Sequence, residues 1–285
     1  MNPFRQYVSD YARLTRDART LSLGNLSAPH RPAPSANAPV ALIFAPHPDD
    51  ECIMGAWPLR LLREAGLRVV NVAVTLGSNL ERRAGRWEEL QAACGWLGFG
   101  LELSTAGGLE KINPQTRKAS PDLWRGAVQV IAGILERQRP SLVFFPHELD
   151  ANSTHRGTYY LVMDALQAMP GEFACQVVET EYWAAHPKPN VMVESSLDEV
   201  ADLMAALSLH VGEVKRNPYH VGLPAWMQDN VRRGAELVGG QGGAAPDYAF
   251  ATLYRLSRWA QGGRQEVEGG QRLIGVSDNP AELLA

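Results

Sequence analysis

Cysteine is scarce in this chain of 285 residues: there are three, Cys52, Cys94 and Cys175. They lie far apart and form no CxxC pair, so neither a disulfide framework nor a thiolate metal site is indicated. Each sits among apolar neighbours, as small buried hydrophobes do. Long apolar runs are missing too. No stretch approaches the roughly 18 apolar residues of a membrane-spanning helix. The charged N-terminus, MNPFRQYVSDYARLTRDAR, lacks the apolar centre of a secretory signal. A cytoplasmic location is therefore expected. Positive charge is not in surplus: 27 Lys and Arg face 31 Asp and Glu, for a net charge of −4. Without a basic field to hold a phosphate backbone, no nucleic-acid partner is expected. No G-x-G-x-x-G follows the first strand, which argues against a nucleotide-dependent oxidoreductase or transferase.

What is present is an ordinary globular composition, 45% apolar and 20% charged, able to bury a core without staples. Residues 1–20 read as a polar helix, and SAPHRPAPSANAP (27–39) as a connector. The continuous apolar run Val40–Ala45, ended by proline, suits a strand covered on both faces. A helix is expected from Glu51 to Ala65, closed by Gly66, and then a strand in LRVVNVAVT (67–75). Helices over 81–97 and 121–138, a strand at SLVFFP (141–146), a helix over 154–168 and a strand at CQVVETEYWA (175–184) continue the alternation. Strands joined by single helices imply right-handed crossovers. The expected fold is α/β: a Rossmann-like, doubly wound, mainly parallel sheet with helices on both faces.

The last hundred residues read differently. Leu197–Val211 and Pro224–Val238 have helical spacing, GGQGGAAP (239–246) is a break, and Tyr248–Trp259 is expected as a final helix. The organisation inferred is an N-terminal helix and Pro-rich linker (1–38), a catalytic domain (39–262) and a tail (263–285). The helical C-terminal elaboration begins at about 197 and is expected to wall one side of the site.

Open parallel sheets bind ligands outside the carboxyl ends of their strands. Two such ends are rich in metal-binding residue types: Pro46-His47-Pro48-Asp49-Asp50-Glu51 and His147-Glu-Leu-Asp150-Ala-Asn152-Ser-Thr154-His155. Pro48 extends His47 and pre-sets a first helical turn. His47 and Asp50 can then point to one side, while Asp49 is rotated away, within reach of a water rather than the metal. That division suits a hydrolytic zinc site: two ligands, a third from elsewhere, an open position and a carboxylate base. Acids at a helix start also simply favour the helix dipole. The adjoining histidine and the second His-rich loop favour the metal. For the third ligand His147, His155, His186, His210 and His220 compete; His155, opening a helix capped by Ser153 or Thr154, has a slight advantage by spacing.

Ala45-Pro46-His47-Pro48-Asp49-Asp50-Glu51 resembles the A-H-P-D-D-E signature of the PIG-L/LmbE-like N-acetylglucosaminyl deacetylases. The resemblance runs on through Thr75-Leu76-Gly77, Arg86-x-x-Glu89, Leu97-Gly98 and Pro146 to His155, spanning about 39–170. It implies a Rossmann-like fold and one zinc, or another divalent ion, per chain, held by His47, Asp50 and His155. It further implies Asp49 as general base and Arg86 as a contact to sugar hydroxyls. The family removes acetyl groups from N-acetyl amino sugars on lipids, thiol cofactors, chitin fragments or antibiotics. One departure stands out. The family's second motif, D-x-H-x-D-H, uses its first His as acid and oxyanion partner, whereas here Asn152 holds that place and Thr154 replaces the second Asp.

The expected activity is metal-dependent hydrolysis of the acetyl (acyl) amide of an N-acetylated amino sugar or glycoconjugate. Asn152 and His147 are further catalytic candidates, the former as oxyanion donor and the latter as substitute acid. Trp183, following a strand end, is the candidate for sugar stacking. Arg86 could equally belong to a solvated helix face with Arg82 and Arg83. The alternatives are a sugar- or metal-binding module that lost its helper His, and an amidase for a non-sugar acyl amide. Homo-oligomerisation is left open.

Overall fold

The computed structural model describes residues 2–267 and 272–284. Residues 1, 268–271 and 285, parts of the expected N-terminal segment and tail, lie outside the described residues. The first helix, α1 (Arg5–Ala18), buries none of its side chains. The sheet begins with β1 (Val40–Ala45), followed by the short helices α2 (Asp50–Ile53) and α3 (Trp57–Arg63) and by β2 (Arg68–Ala73). Next come α4 (Arg83–Leu97), β3 (Gly100–Leu103), α5 (Pro114–Ala119), α6 (Pro121–Gln138), β4 (Leu142–Pro146), α7 (Ser153–Gln167) and β5 (Cys175–Thr180). The C-terminal part contributes β6 (Val191–Ser195), α8 (Leu197–Ser208), α9 (Val211–Val214), α10 (Leu223–Leu237), β7 (Phe250–Ala260), β8 (Gly263–Glu266) and β9 (Arg272–Ile274).

Nine strands among the described residues form one sheet, ordered β3-β2-β1-β4-β5-β7-β6-β9, with β8 paired to β7. Strands β1 to β5 run parallel, and helices cover both faces, so the Rossmann-like α/β architecture holds. β1 shows how the continuous apolar run is used. Its Ala41, Ile43 and Ala45 enter one core with α3, α4 and α8, while Val40, Leu42 and Phe44 enter the other with α6 and α7. Chain order reverses between β1 and β4, and a crevice therefore opens at their carboxyl ends. Both candidate loops leave the sheet there.

Several expectations need correction. Tyr248–Trp259 is not a helix: β7 is an eleven-residue strand, antiparallel to β5 and β6. Its apolar residues at 250, 253, 254 and 256 mimic helical spacing, but two vacant strand edges decide its conformation. Asn190 helps by bonding both backbone groups of Leu256, its Oδ1 accepting at 2.7 Å and its Nδ2 donating at 2.8 Å. The strands β3 and β6 had no sequence reading. The helix expected over Glu51–Ala65 is broken at Gly55 (φ +95°), where a Cβ would stand 2.2 Å from Thr252 Oγ1 of β7. Glycine takes this φ without strain and leaves room for the Thr252 and Tyr254 side chains. The weakly patterned tail is stitched down: Trp57 Nε1 donates to the Pro280 carbonyl at 2.9 Å, and the fully buried Arg60 donates to that of Asp278 at 2.9 Å. All three cysteines are buried and free. No described helix is long and apolar enough to cross a membrane.

Candidate metal centre and its cavity

The site grows out of the turn between β1 and α2. Asp49, at the N-cap of α2, has φ +116°, a region that costs a non-glycine residue about 1–3 kcal/mol. This conformation turns Asp49 and the next residue, Asp50, to different tasks. Asp50 Oδ2 accepts from the His47 backbone N–H at 2.8 Å and lies 3.4 Å from His47 Nδ1. From the opposite loop, His155 on the first turn of α7 brings Nε2 to 3.2 Å from the same oxygen and 3.3 Å from His47 Nδ1. The three atoms thus make a nearly equilateral triangle.

That triangle fits a metal. A tetrahedral ion bound at about 2.0–2.1 Å has ligand–ligand edges of about 3.3–3.4 Å. The donor set, two imidazole nitrogens and a carboxylate, is of the kind zinc accepts, and it forms a group able to hold a metal ion. The electrostatics agree. Burial opposes charging of His155, but Asp50 and Asp150 outweigh it and raise its pKa to about 10. Burial also opposes ionisation of Asp50, yet His155 and His47 hold its carboxyl below the ordinary range. The site is built around positive charge.

The surrounding residues orient this group. Asp150 Oδ2 stands 3.5 Å from His155 Nδ1, accepts from the Trp183 backbone N–H at 3.1 Å, and Asp150 Oδ1 accepts from the Asn152 N–H at 2.7 Å. The Asp150 carboxylate thus favours a charged His155 ring by its nearness rather than by a hydrogen bond. Asp49 points elsewhere. Its Oδ2 accepts from Tyr219 Oη at 2.5 Å and lies 3.9 Å from Arg86 Nη2. Burial first, and the adjacent Asp50 second, push its pKa up to about 7, against the pull of His210, Arg86 and Tyr219. Beneath it, Glu51 takes the Asp49 N–H at 3.0 Å on Oε2 and His210 Nε2 at 2.7 Å on Oε1, with Cys52 Sγ donating at 3.1 Å. The Glu51–Cys52–His210 group can also be drawn as a metal cluster. Its 2.7 Å contact is a hydrogen bond rather than a ligand edge, and burial beside Glu51 raises the Cys52 thiol away from thiolate.

A cavity of about 350 Å³ opens over the triangle, lined among others by His47, Asp49, Arg86, Asn152, Trp183 and Glu213. Arg86 reaches it past Gly77, where a Cβ would meet its Nη1 at 2.3 Å; Arg86 Nη2 donates to the Pro48 carbonyl at 2.9 Å. Arg86 is therefore not on a solvated helix face. Asn152 caps α7, its Oδ1 accepting from the Thr154 N–H at 2.8 Å, so its amide NH2 remains for the cavity. Trp183, 46% exposed, packs edge-on against Tyr219 with ring centroids 5.6 Å apart. Thus His47, Asp49, Asp50, Arg86, Asn152, His155 and Trp183 are brought together.

His147 is not, and its expected place in the chemistry needs correction. Its Nε2 donates to the Ala184 carbonyl at 2.9 Å and its Nδ1 accepts from the Leu149 N–H at 3.3 Å. Both nitrogens serve the backbone, which makes it a prop of the 181–186 turn. Of the other rival ligands, His186 stacks on His147, His210 bonds Glu51, and His220 is buried with its pKa lowered by that burial. Sequence reasoning missed Tyr219, Glu213 and the charge of Asp150 beside His155. Nothing local marks the first two, because they come from the C-terminal part by long-range packing. Asp150 lay within the motif, and the four intervening residues before His155 were its only signal.

Residues 42–166 match the family model of the GlcNAc-PI de-N-acetylases, PIG-L. The match spans less than half of the chain and shows what that segment is similar to. Among curated proteins no relative matches it by sequence. Solved structures share the fold of this chain at low identity. The N,N'-diacetylchitobiose deacetylase of Pyrococcus horikoshii is 17% identical with a TM-score of 0.57, covering 90% of this chain and 94% of that one. The zinc-inhibited form of the teicoplanin deacetylase Orf2 is 15% identical with a TM-score of 0.53, covering 77% and 98%. GalB, the 4-carboxy-2-hydroxymuconate hydratase of Pseudomonas putida, is 16% identical with a TM-score of 0.56, covering 76% and 95%. The same fold thus carries a hydratase as well as deacetylases, and the reaction must be argued from the site.

Proposed function

We propose that this chain is a zinc-dependent N-deacetylase that removes the acetyl (acyl) group of an N-acetylated amino sugar or glycoconjugate. The observation that carries the reading is the His47–Asp50–His155 triangle with a separate buried carboxylate, Asp49, beside it. In this reading residues 39–262 form the catalytic unit, and His47, Asp50 and His155 hold one metal ion. When bound, zinc supplies Lewis acidity, polarising the amide carbonyl and making water acidic near neutral pH.

The protein's own residues do the rest. Asp49, poised near neutrality, takes the proton of the attacking water. Tyr219 and Arg86 hold its carboxylate toward the cavity. The Asn152 amide donates to the oxygen on which charge develops, a role in which one donor is worth about 3 kcal/mol. With His147 engaged by the backbone, Asp49 returns its proton to the departing amine and serves as both base and acid. Trp183 and Arg86 face the hydroxyl-bearing part of the substrate.

Acetate release by the zinc-loaded protein across a panel of N-acetyl amino sugars tests the reading. Release from sugar amides is expected. Release only from non-sugar acyl amides makes the chain an amidase, and binding without release makes it a binding module.

A further inference from the structure

A second cavity, of about 490 Å³, adjoins the first and shares His47, Gly77 and Ser78 with it. The N-terminal turn of α7 separates the two: Asn152 borders the first cavity and Thr154 the second. Their linings differ in chemistry. The first is walled by Arg82, Arg86, Arg216 and Glu213, whereas the second is walled by Leu80, Leu109 and Ile112. Ile112 is buried in the core against α6 and α7, and Leu109 packs against that core. Of the charges at the rim of the second cavity, Arg83 and Glu110 engage each other, Arg83 donating to Glu110 Oε1 at 2.8 Å and to the Gly77 carbonyl at 3.0 Å, while Lys111 also lines the rim.

A scissile amide held at His47 has two substituents and two unlike cavities to receive them. The hydroxyl-bearing amine part suits the polar one, beside Asp49. An acetyl methyl, of about the 30 Å³ of one water, would leave the apolar one nearly empty. We propose that this second cavity takes the acyl part of the substrate, and that the enzyme prefers a straight apolar N-acyl group longer than acetyl. The inference rests on the hydrolase reading above. The step is ordinary amide hydrolysis: water's oxygen bonds to the acyl carbon, the C–N bond breaks, the proton passes to the amine, and a carboxylic acid leaves.

The test compares kcat/KM of the metal-loaded full chain for N-acetyl-, N-butanoyl- and N-hexanoylglucosamine. In parallel, it measures Kd for the matching straight-chain carboxylates. Expected are gains of about fourfold per methylene in both series until the cavity is filled. Leu109→Ser should lower the hexanoyl-to-acetyl ratio at least fivefold. Leu80→Ser, at a side chain 66% exposed and so safe for folding, should lower it in the same direction. Acetate release that falls as the acyl chain lengthens overturns the proposal and leaves the deacetylase reading standing. A rate that rises with a second sugar and not with acyl length assigns the cavity to sugar and likewise overturns it. If no N-acyl sugar is hydrolysed, the hydrolase reading fails, and the carboxylate series alone decides: affinity growing with chain length supports an apolar-chain site, and flat affinity refutes it.

Discussion

Between Val40 and Thr180 the five strands lie parallel to one another, and each connection carries helix across one face; from Val191 onward the chain instead threads β7 antiparallel between β5 and β6. The two regions also divide the site. The parallel region brings His47, Asp49, Asp50 and His155, all from loops at strand ends. The C-terminal region brings Glu213 and Arg216 to the cavity wall and Tyr219 into direct contact with Asp49. The family match covers 42–166 and so falls within the region that carries the candidate metal group. The candidate metal group is thus a local product of two strand-end turns, whereas the far wall of its cavity depends on distant packing.

If this division is real, damage to the parallel region should remove metal or chemistry, and damage to the C-terminal region should leave metal in place. The largest effect is expected for His155→Ala. Metal analysis should find about one ion per chain in the parent and none in the variant, with acetate release down by about a thousandfold or more. Metal retained there would break the comparison at its root. Asp49→Asn should keep metal and lose about a hundredfold in kcat, the scale for losing a general base. Loss of metal in that variant, with retention in Asp50→Asn, would exchange the two roles.

Proton competition gives a third measurement. The His155 pKa, raised from an ordinary 6.5 to about 10 in the metal-free chain, keeps a proton on the ring at neutral pH. That proton's contribution to stability is complete below about 6.5 and fades as pH climbs toward 10. A metal must displace it, so apparent affinity should rise with pH, about tenfold per unit across that window. Chelator competition measures it, and a flat profile would remove His155 from the ligand set. The smallest effect belongs to the C-terminal region. Tyr219→Phe deletes one hydrogen bond to a carboxylate, worth about 1.5 kcal/mol, and should lower kcat by about tenfold with metal content unchanged. A fall in metal content would show that the wall also builds the centre.

The same division describes what could be read in the sequence. β1, β2 and β4 are uninterrupted apolar runs because both faces are covered, and that pattern is local. His47, Asp49 and Asp50 stand together in one motif, so their convergence was legible before any contact was seen. β7 was not, since Arg255 and Arg258 interrupt its apolar residues and its strand conformation comes from β5 and β6, whose paired residues are 55 or more positions away. His147 misled for a related reason. A histidine at a strand end looks the same in sequence whether it faces a cavity or a backbone carbonyl, and only the Ala184 contact separates the two. Tyr219 reaches Asp49 across 170 positions, a distance no motif encodes.

Asp150 joins the two regions. One of its oxygens serves the Trp183 amide and stands beside His155, so the aromatic wall and the ligand ring share a single anion. Such sharing is thermodynamic linkage. Whatever preference the 181–186 turn has for the state in which His155 holds a cation must be returned as an equal preference of the cation for that state of the turn. If the centre takes up an ion, its occupancy and the order of the wall become one equilibrium observed from two ends, and the hydrogen-exchange rate of the Trp183 amide a gauge of an ion it never touches.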